Sequence, residues 1–431
     1  MKNTLKIRNK EKDITKEFQD IIDSLNVNEV LKVSRGIYNV RNLFLKSNIH
    51  IVFEDGVILN SITENEDFKI IDTRVAGINM KFYAAVLNII DSNNVTIEGK
   101  AIINGNGAYF WEKYWGRDQK SGMRKEYDKL GIRFLCDYDC MRVRNVLVQN
   151  SKNVIIKDIT SKDSGFWNMH ILYSHNVLID NVIIDSKAAW APSTDGIDID
   201  SSYNVKVLNC TTYTNDDSIC IKSGRDCDGL KTNIPSHDIE IANCHILNGF
   251  GVTIGSELSG GIYNINIHDL EFKNSDCGFR IKSTPDRKGY IRDVLVSNLN
   301  MMDVMYPIHI ALNWNPNYSC TKLPDNYSGE VLDHYKKICQ SVDKNIKNTI
   351  IENIKIENLI SNISDKYNGE SRAFEINGFK DSHIKNFTIS NSNITSYEFG
   401  RISNVDNLNF LSTSVSILRE NNTKNDEYDN R

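Results

Sequence analysis

The sequence predicts an all-β fold, a right-handed single-stranded parallel β-helix (solenoid) with a short N-terminal capping helix. Three observations predict it. A corner motif of Asn or Asp followed by Val or Ile recurs along the chain, and a second series of short strand-like segments recurs out of phase with it. Helical periodicity is largely confined to one segment near the N-terminus. Recurring units built from short strands are typical of solenoids, whose coils stack on their neighbours.

The predicted helix lies close to the start of the chain. Four apolar residues there recur at the three- and four-residue spacing of one helix face, namely Phe18, Ile21, Ile22 and Leu25. We expect residues 13–25 to form a short amphipathic helix that caps one end of the solenoid.

The corner motif marks the coils of the solenoid. Its first residues are Asn94, Asn153, Asn176, Asn204, Asp238, Asn264, Asp293 and Asn348, and in the last copy Thr349 stands before the Ile. Two gaps, after Asn94 and after Asp293, are long, and the other spacings all have the size of one solenoid coil. Asn and Asp tolerate a left-handed backbone and form local hydrogen bonds, which suits a corner. Each long gap would hold two coils or a large loop.

The second series consists of six-residue segments that share the template small, apolar, x, apolar, x, Ser. They are residues 196–201, 218–223, 251–256 and 278–283, so each starts about one coil after the segment before it. Alternation along a strand sends the apolar positions to one face and the x positions to the other. We expect the four segments to stack as parallel strands, with a continuous apolar core and the x positions in columns outside.

Composition restricts the class of protein and of partner. The chain has 431 residues and a net charge of −5 at pH 7, and it lacks the basic balance that a nucleic-acid partner requires. No segment approaches the ~18 apolar residues of a membrane span, and the N-terminus lacks the apolar run of a secretory signal. We expect a cytoplasmic protein, or a secreted one if a signal was removed, with no membrane partner. The oligomeric state stays open.

One domain is predicted for residues 1–418, because solenoid coils need only their neighbours and length therefore does not imply several domains. Residues 419–431 are polar and carry little apolar surface, so we expect a disordered tail. Nine cysteines without zinc-type spacing fit free thiols better than a disulfide framework.

Acidic and basic side chains converge on the outer face of the stacked segments. The template places Asp195 and Asp217 in one column just before the strands, with Asp216 beside Asp217. The next columns, and the preceding coil, add basic side chains to the same face: Lys222, Arg280, Lys282 and His170. A polar outer face is ordinary for a sheet. Carboxylates on neighbouring rungs nevertheless repel one another and raise a pKa, so a structural role alone disfavours this cluster.

Such a cluster is suited to glycoside hydrolysis. One protonated carboxyl delivers a proton to the leaving oxygen and, in inverting enzymes, a carboxylate activates water on the opposite face of the sugar. Arg280 and Lys282 are placed to bind an anionic sugar, and galacturonate carries a matching carboxylate.

Three motifs resemble those of glycoside hydrolase family 28, the polygalacturonase and rhamnogalacturonan hydrolase family. Residues 193–196 (Ser-Thr-Asp-Gly) resemble its Asn-Thr-Asp-Gly, residues 215–217 carry its paired aspartates, and residues 280–282 are its Arg-Ile-Lys unchanged. The resemblance implies a pectic oligo- or polysaccharide as substrate, cleavage of α-galacturonosidic linkages with inversion, and no metal or other cofactor.

The same resemblance implies roles for individual residues. Asp216 would be the general acid, while Asp195 and Asp217 would hold and activate the water. Arg280 and Lys282 would bind the substrate carboxylate.

One position departs from the family pattern. The family's Gly-His-Gly is here Gly-Phe-Gly at residues 249–251, so Phe250 replaces the histidine that assists the acid. Relatives that cleave rhamnogalacturonan also lack this histidine. Homogalacturonan and rhamnogalacturonan both stay open as substrates.

Further segments resemble a bacterial branch of the family, namely residues 111–115, 137–140, 224–229 and 313–316. Arg225 would add a cation for the substrate. Trp111 and Trp115 would form a sugar-stacking wall, which at one end of the groove favours exo action. The alternative for both tryptophans is core packing of an inserted loop.

Two alternatives to hydrolysis stay open. A Ca²⁺-dependent pectate lyase uses a similar fold with acidic and basic clusters, but no acidic set here has an evident calcium-cage spacing. A non-catalytic β-helical polysaccharide-binding protein would need none of the three aspartates for its function.

Overall fold

The computed structural model describes residues 3–5, 13–319 and 321–418. Residues 419–431, which the sequence predicts to form a polar tail, lie outside this part of the chain. The boundary of the single domain, predicted at residues 1–418, therefore stays a prediction.

The described residues wind as a right-handed parallel β-helix, which confirms the predicted fold class. Their strand pairs are parallel apart from one antiparallel hairpin, formed by Ile70–Val75 and Ile78–Tyr83, and one isolated antiparallel bridge. Most coils contribute one strand to a first sheet and two to a second, so the two series in the sequence correspond to different faces of the coil.

The first sheet, called the site sheet below, has eleven strands in the described part of the chain. They are Leu43–Leu45, Leu87–Ile90, Val146–Gln149, Met169–Leu172, Ile197–Asp200, Ile219–Lys222, Val252–Ile254, Cys277–Lys282, Tyr306–Ala311, Arg372–Asn377 and Glu398–Ser403. Cys220 pairs with Asp198 on one side and with Thr253 on the other. Arg280 pairs with Thr253 on the next strand. The four template segments therefore stack in the predicted register.

The second sheet has 22 strands among the described residues. They are Asn3–Leu5, Val30–Val33, Gly36–Val40, Ile49–Phe53, Val57–Ser61, Asn93–Gly99, Ile102–Asn104, Lys152–Lys157, Thr160–Lys162, His175–Asp180, Ile183–Asp185, Tyr203–Leu208, Thr211–Tyr213, Ser236–Ala242, His245–Ile246, Ile262–Lys273, Tyr290–Met302, Ile350–Asn362, Ile384–Ser390, Asn393–Ser396, Val405–Leu411 and Ser414–Ile417. Most coils place two of these strands side by side along the chain, and in the three longest strands the two have merged.

The predicted capping helix is confirmed at Thr15–Ser24, where Phe18 and Ile22 face the core. The side-chain amide of Gln19 donates to the carbonyl oxygen of Phe44 (2.9 Å) and accepts from its N–H (2.8 Å). The helix thus satisfies the backbone of the first strand of the site sheet, whose edge would otherwise lie open.

The remaining helices are short. They are the α-helices Ala108–Trp115, Met123–Lys129, Cys136–Asp139, Asp226–Thr232, Pro316–Ser319 and Asp333–Ile338, and the 3₁₀ turns Glu64–Glu66 and Arg133–Leu135. Among the helices of the described residues, none combines the length and the apolar character needed to span a bilayer.

The core is a stack of aliphatic side chains from successive coils. On the site sheet Ile171, Ile199 and Ile221 lie one above another, and all three are fully buried. Full burial of such a side chain contributes roughly 1.5–3 kcal/mol relative to exposure. Eight cysteines fall in the described part of the chain, and all are free thiols.

The corner residues form a ladder outside the core. The last predicted corner, Asn348, is wrong, because the residue that stands opposite Asp293 and adopts the left-handed conformation is Asn353. Asn94, Asn153, Asn176 and Asn204 all adopt the left-handed conformation, with φ between 50° and 57°. The side-chain amide of Asn176 donates to Asn153 Oδ1 (3.0 Å), and Asn204 donates to Asn176 Oδ1 (2.7 Å). Each corner therefore hydrogen-bonds to the coil before it.

We expect Asn176→Ala to lower the free energy of unfolding by about 1–3 kcal/mol, because alanine loses both side-chain hydrogen bonds and tolerates the left-handed backbone poorly. Asn176→Gly loses the same hydrogen bonds but accommodates the backbone, so its loss should be smaller. Urea denaturation measures both. Equal losses would show that the backbone conformation at the corner contributes nothing.

Candidate active site

Three aspartates lie together at the entry to two neighbouring strands of the site sheet. Asp195 stands two residues before the strand Ile197–Asp200, and Asp217 stands at the same place before the next strand. A Cβ atom on Gly196 would lie 2.2 Å from the carbonyl oxygen of Ser218. Only glycine lets the two turns approach so closely. One carboxylate oxygen of Asp195 lies within 4.8 Å of one of Asp217.

Asp217 is fully buried and held by three donors from the next two strands. Lys282 Nζ lies 2.6 Å from Oδ2, and Thr253 Oγ1 and Arg280 Nη1 lie 2.8 and 3.3 Å from Oδ1. Burial alone would raise the pKa of Asp217, but Lys282, Arg280 and Lys222 outweigh it and bring the pKa to about 2. Asp217 is therefore ionised at any ordinary pH.

The other two acids have the opposite character. Burial, followed by the charges of Asp216 and Asp198, raises the pKa of Asp195 well above its usual range. Burial and the charge of Asp217 likewise raise the pKa of Asp216. These two carboxyls can hold a proton at a pH at which an exposed aspartate is ionised. The cluster therefore offers both a proton donor and a proton acceptor.

Lys222 offsets the negative charge of several buried acids. Its Nζ lies 3.5 Å from Asp195 Oδ2, 3.5 Å from Asp198 Oδ1 and 3.3 Å from Glu257 Oε2. It also lies 5.0 Å from the centre of the Trp167 ring. Although burial opposes the charged form, Cys220 and these acids raise the pKa of Lys222 well above its usual value.

The acids open into a pocket of about 200 Å³. Its lining residues are Ala76, Arg133, Asp137, Phe166, Trp167, Ser193, Asp195, Asp216, Lys222, Ser256, Glu257, Lys282, Trp314, Asn315 and Tyr318. Pockets for drug-sized ligands begin at roughly 300 Å³, so this volume suits a smaller group such as one sugar ring.

Of the predicted site residues, Asp195, Asp216, Lys222 and Lys282 line the pocket. Asp217 and Arg280 lie directly behind them, joined by their ion pair of 3.3 Å.

Two predicted substrate-binding residues lie away from the pocket surface, each with 0% exposure. Arg225 donates to Tyr138 Oη (2.8 Å) and Asp226 Oδ2 (3.2 Å). His170 Nδ1 lies 2.7 Å from a nitrogen of Arg144, and burial is the main reason that its pKa falls to about 4. Their contacts are with protein groups.

The two predicted tryptophans also lie outside the pocket lining. Trp111 is buried, donates from Nε1 to the carbonyl oxygen of Ser164 (3.0 Å) and meets Trp190 edge-on at 5.1 Å. Trp115 packs against Tyr114 at 4.8 Å. These are the contacts of the core-packing alternative. The aromatic side chains of the pocket are instead Phe166, Trp167, Trp314 and Tyr318.

Several pocket residues were not predicted individually from the sequence, among them Arg133, Asp137, Trp167 and Glu257. Arg133 and Asp137 lie in the insertion that fills the first long gap of the corner motif, between Asn94 and Asn153. The gap itself was the available signal, because it predicted two coils or a large loop. Nothing in the strand pattern says where the side chains of such a loop point.

One set of possible metal ligands occurs in the described part of the chain, formed by Asp195, Asp217 and Cys220 with one atom of each within 4.8 Å of the others. Calcium takes six to eight oxygen ligands. Here the third group is a thiol whose pKa burial raises far above its usual value, and both Asp217 oxygens already accept hydrogen bonds. The donor set therefore does not match calcium.

Known proteins resemble this chain in sequence and in fold. A family model described as glycosyl hydrolases family 28 matches residues 57–333. A probable polygalacturonase of Vitis vinifera is 25% identical over 295 residues, 67% of this chain and 53% of that protein. An exo-poly-alpha-D-galacturonosidase of Dickeya chrysanthemi is 25% identical over 439 residues, 91% of this chain and 71% of that protein. The match thus spans about half the length of the Vitis protein.

Among solved structures, a hyperthermoactive exopolygalacturonase of Thermotoga maritima has a TM-score of 0.72 at 24% identity, covering 93% of this chain and 88% of that chain. This likeness supports the fold. The family model, in turn, covers more than half of the chain and includes all three aspartates with Arg280 and Lys282. On this evidence the chain belongs to glycosyl hydrolases family 28.

Proposed function

We propose that this protein is an inverting, polygalacturonase-like glycoside hydrolase that removes galacturonate from the ends of pectic oligo- or polysaccharides. The observation that carries the proposal is the division of pKa values within one cluster. Asp217 is held ionised by Lys282 and Arg280, whereas burial raises the pKa values of Asp195 and Asp216. Inversion is the course that membership of the family implies, with one carboxyl acting as acid and another as base.

In the proposed reaction Asp216 donates its proton to the glycosidic oxygen as the bond from that oxygen to the anomeric carbon breaks. Asp195 and Asp217 hold a water between them, and this water attacks the anomeric carbon from the opposite face. Its proton passes to Asp217, the acid of the three that is held ionised before the reaction. Exchange with solvent then returns a proton to Asp216 and removes one from Asp217.

Exo action is supported by the shape of the pocket. Its volume suits one ring, and Arg133, Trp314 and Tyr318 stand among its walls. A pocket with room for one ring accepts a chain end, whereas an endo-acting enzyme needs a cleft that is open along the polymer. The Dickeya and Thermotoga relatives carry exo-acting names.

A rhamnogalacturonan-directed enzyme is the second candidate, favoured by Phe250. The backbone N–H of Phe250 donates to the carbonyl oxygen of Asp216 (3.1 Å), and the guanidinium of Arg280 lies 4.9 Å from the centre of its ring. An apolar side chain therefore lies beside the proposed acid, where the family pattern has histidine. It would suit the methyl group of a rhamnose beyond the scissile bond.

The deciding experiment incubates the protein with oligogalacturonides and with rhamnogalacturonan oligosaccharides, and follows reducing ends and product sizes. Exo hydrolysis releases free galacturonate from the first turnover. A pectate lyase would instead yield an unsaturated product that absorbs in the ultraviolet, and a chelator would stop it. A polysaccharide-binding protein would release nothing.

We expect Asp216→Asn to lower kcat by about 100- to 10,000-fold, because asparagine cannot deliver a proton to the leaving oxygen. Folding and substrate binding should be largely retained. Asp325→Asn is the matched control, since the carboxylate of Asp325 is 92% exposed and lies outside the pocket lining. Steady-state kinetics with calorimetric binding checks both. Full activity in Asp216→Asn would refute the assignment of the acid.

We expect Lys282→Met to move the acid limb of the pH profile of kcat/KM to higher pH. Burial raises the pKa of Asp217 and Lys282 makes the largest opposing contribution, so without Lys282 this carboxyl takes up a proton at higher pH. The ionised form that holds the water is then lost sooner as the pH falls. Lys282→Arg keeps the charge and should keep the limb near its wild-type position. A limb that stays in place in Lys282→Met would contradict the role of Asp217.

A further inference from the structure

We infer that Arg133 binds the carboxylate of the terminal galacturonate and thereby makes the pocket specific for a uronic acid. The inference rests on the proposed function, because it names how that same pocket recognises its substrate. Arg133 is a pocket residue contributed by an insertion rather than by the stacked strands.

The other cations of the pocket are committed to the acids. Lys222 lies within 3.5 Å of three carboxylates, and Lys282 lies 2.6 Å from Asp217. Both hold buried negative charges, and removing either from its partners would leave those charges uncompensated. A substrate carboxylate placed against them would add a further negative charge to a cluster that already holds several.

Arg133 is differently placed. Its Nη1 donates to Asp137 Oδ2 (3.0 Å), and among the described residues its remaining N–H groups have no hydrogen-bond partner. The side chain is 19% exposed. A planar guanidinium with donors to spare is the group best matched to a carboxylate, which it can bind with two parallel hydrogen bonds.

The guanidinium is also fixed in position before any ligand arrives. Asp137 accepts from Arg133 through one oxygen and from Arg142 Nη2 (2.7 Å) through the other. Burial would raise the pKa of Asp137, but Arg133 and Arg142 outweigh it and keep the carboxylate ionised. The Tyr318 ring lies 5.3 Å from the guanidinium carbon of Arg133. A side chain held in this way loses little entropy on binding.

The small volume of the pocket brings Arg133 within reach of a sugar that is bound at the acids. Arg133 and the acids Asp195 and Asp216 line the same space of about 200 Å³. One sugar ring with its anomeric carbon at the acids fills this space, so its other substituents meet the wall that carries Arg133. Among the substituents of galacturonate, only the carboxylate is charged.

The test compares Arg133→Gln with wild type on two substrates, trigalacturonate and the same trisaccharide with its non-reducing terminal carboxylate reduced to an alcohol. Wild type should prefer the uronate, and Arg133→Gln should lower kcat/KM for trigalacturonate roughly 10- to 100-fold, mainly through KM. Its kcat/KM on the reduced trisaccharide should change little. Arg133→Lys keeps the charge without the fork and should fall between the two.

Arg117→Gln is the matched control, because this arginine belongs to the same insertion but has a side chain 91% exposed and lies outside the pocket lining. Thermal unfolding shows whether Arg133→Gln remains folded. Equal losses on both substrates would overturn the inference and assign Arg133 to the structure of the wall. Unchanged kinetics on trigalacturonate would overturn it as well.

Failure of the proposed function is distinguished by calorimetry with the free sugars. If wild type cleaves neither substrate yet binds galacturonate more tightly than galactose, and Arg133→Gln abolishes that difference, the inference stands while the hydrolytic proposal fails. If wild type binds the two sugars equally, the inference fails whatever the protein hydrolyses.

Discussion

Neighbouring strands of the site sheet lie one above another at the ~4.8 Å spacing of a β-sheet, and the active-site geometry depends on their register. Asp195 and Asp217 are separated by a full coil of the chain, yet the register brings their carboxylates within 4.8 Å. The same register brings Lys282 from two strands further on to Asp217. A slip of one residue would turn these side chains into the core. The isoleucine stack that fixes the register is therefore also what assembles the acids.

A buried cluster of charges is stable only when the charges balance, and this requirement explains the uneven pKa values. Burial raises the pKa of every acid in the cluster. Asp217 escapes that effect because two cations and a hydroxyl meet it directly, whereas Lys222 is divided among Asp195, Asp198 and Glu257. Acids that share one cation cannot all be fully compensated. The proton that hydrolysis requires therefore stays on Asp195 and Asp216, whose pKa values are raised and which line the pocket.

The sequence was informative wherever one period governed the structure. Alternation within strands and recurrence between coils correctly predicted the fold class, the capping helix, the left-handed corners from Asn94 to Asp293 and the columns that carry Asp195, Asp217 and Arg280. It was uninformative where another segment covers the sheet. His170 is outward-facing by alternation, but the hairpin that includes Arg74 lies over this part of the outer face, where Arg74 pairs with Asp200 at 2.7 Å. An outward position is exposed only if no loop returns to cover it.

The walls of the pocket are built differently from its floor, which carries the acids. Arg225 shows how a wall is connected to the protein interior. It lies fully buried, with its guanidinium carbon 4.9 Å from the Tyr318 ring, and the same ring lies 5.3 Å from Arg133. A cation in the protein interior thus supports, through one tyrosine, a cation at the pocket surface. The positions of the acids on the floor of the pocket are set by coil stacking, so they can shift little without loss of the fold. The walls come from insertions between coils, which tolerate replacement far better. Specificity can therefore change in this architecture while the chemistry stays the same.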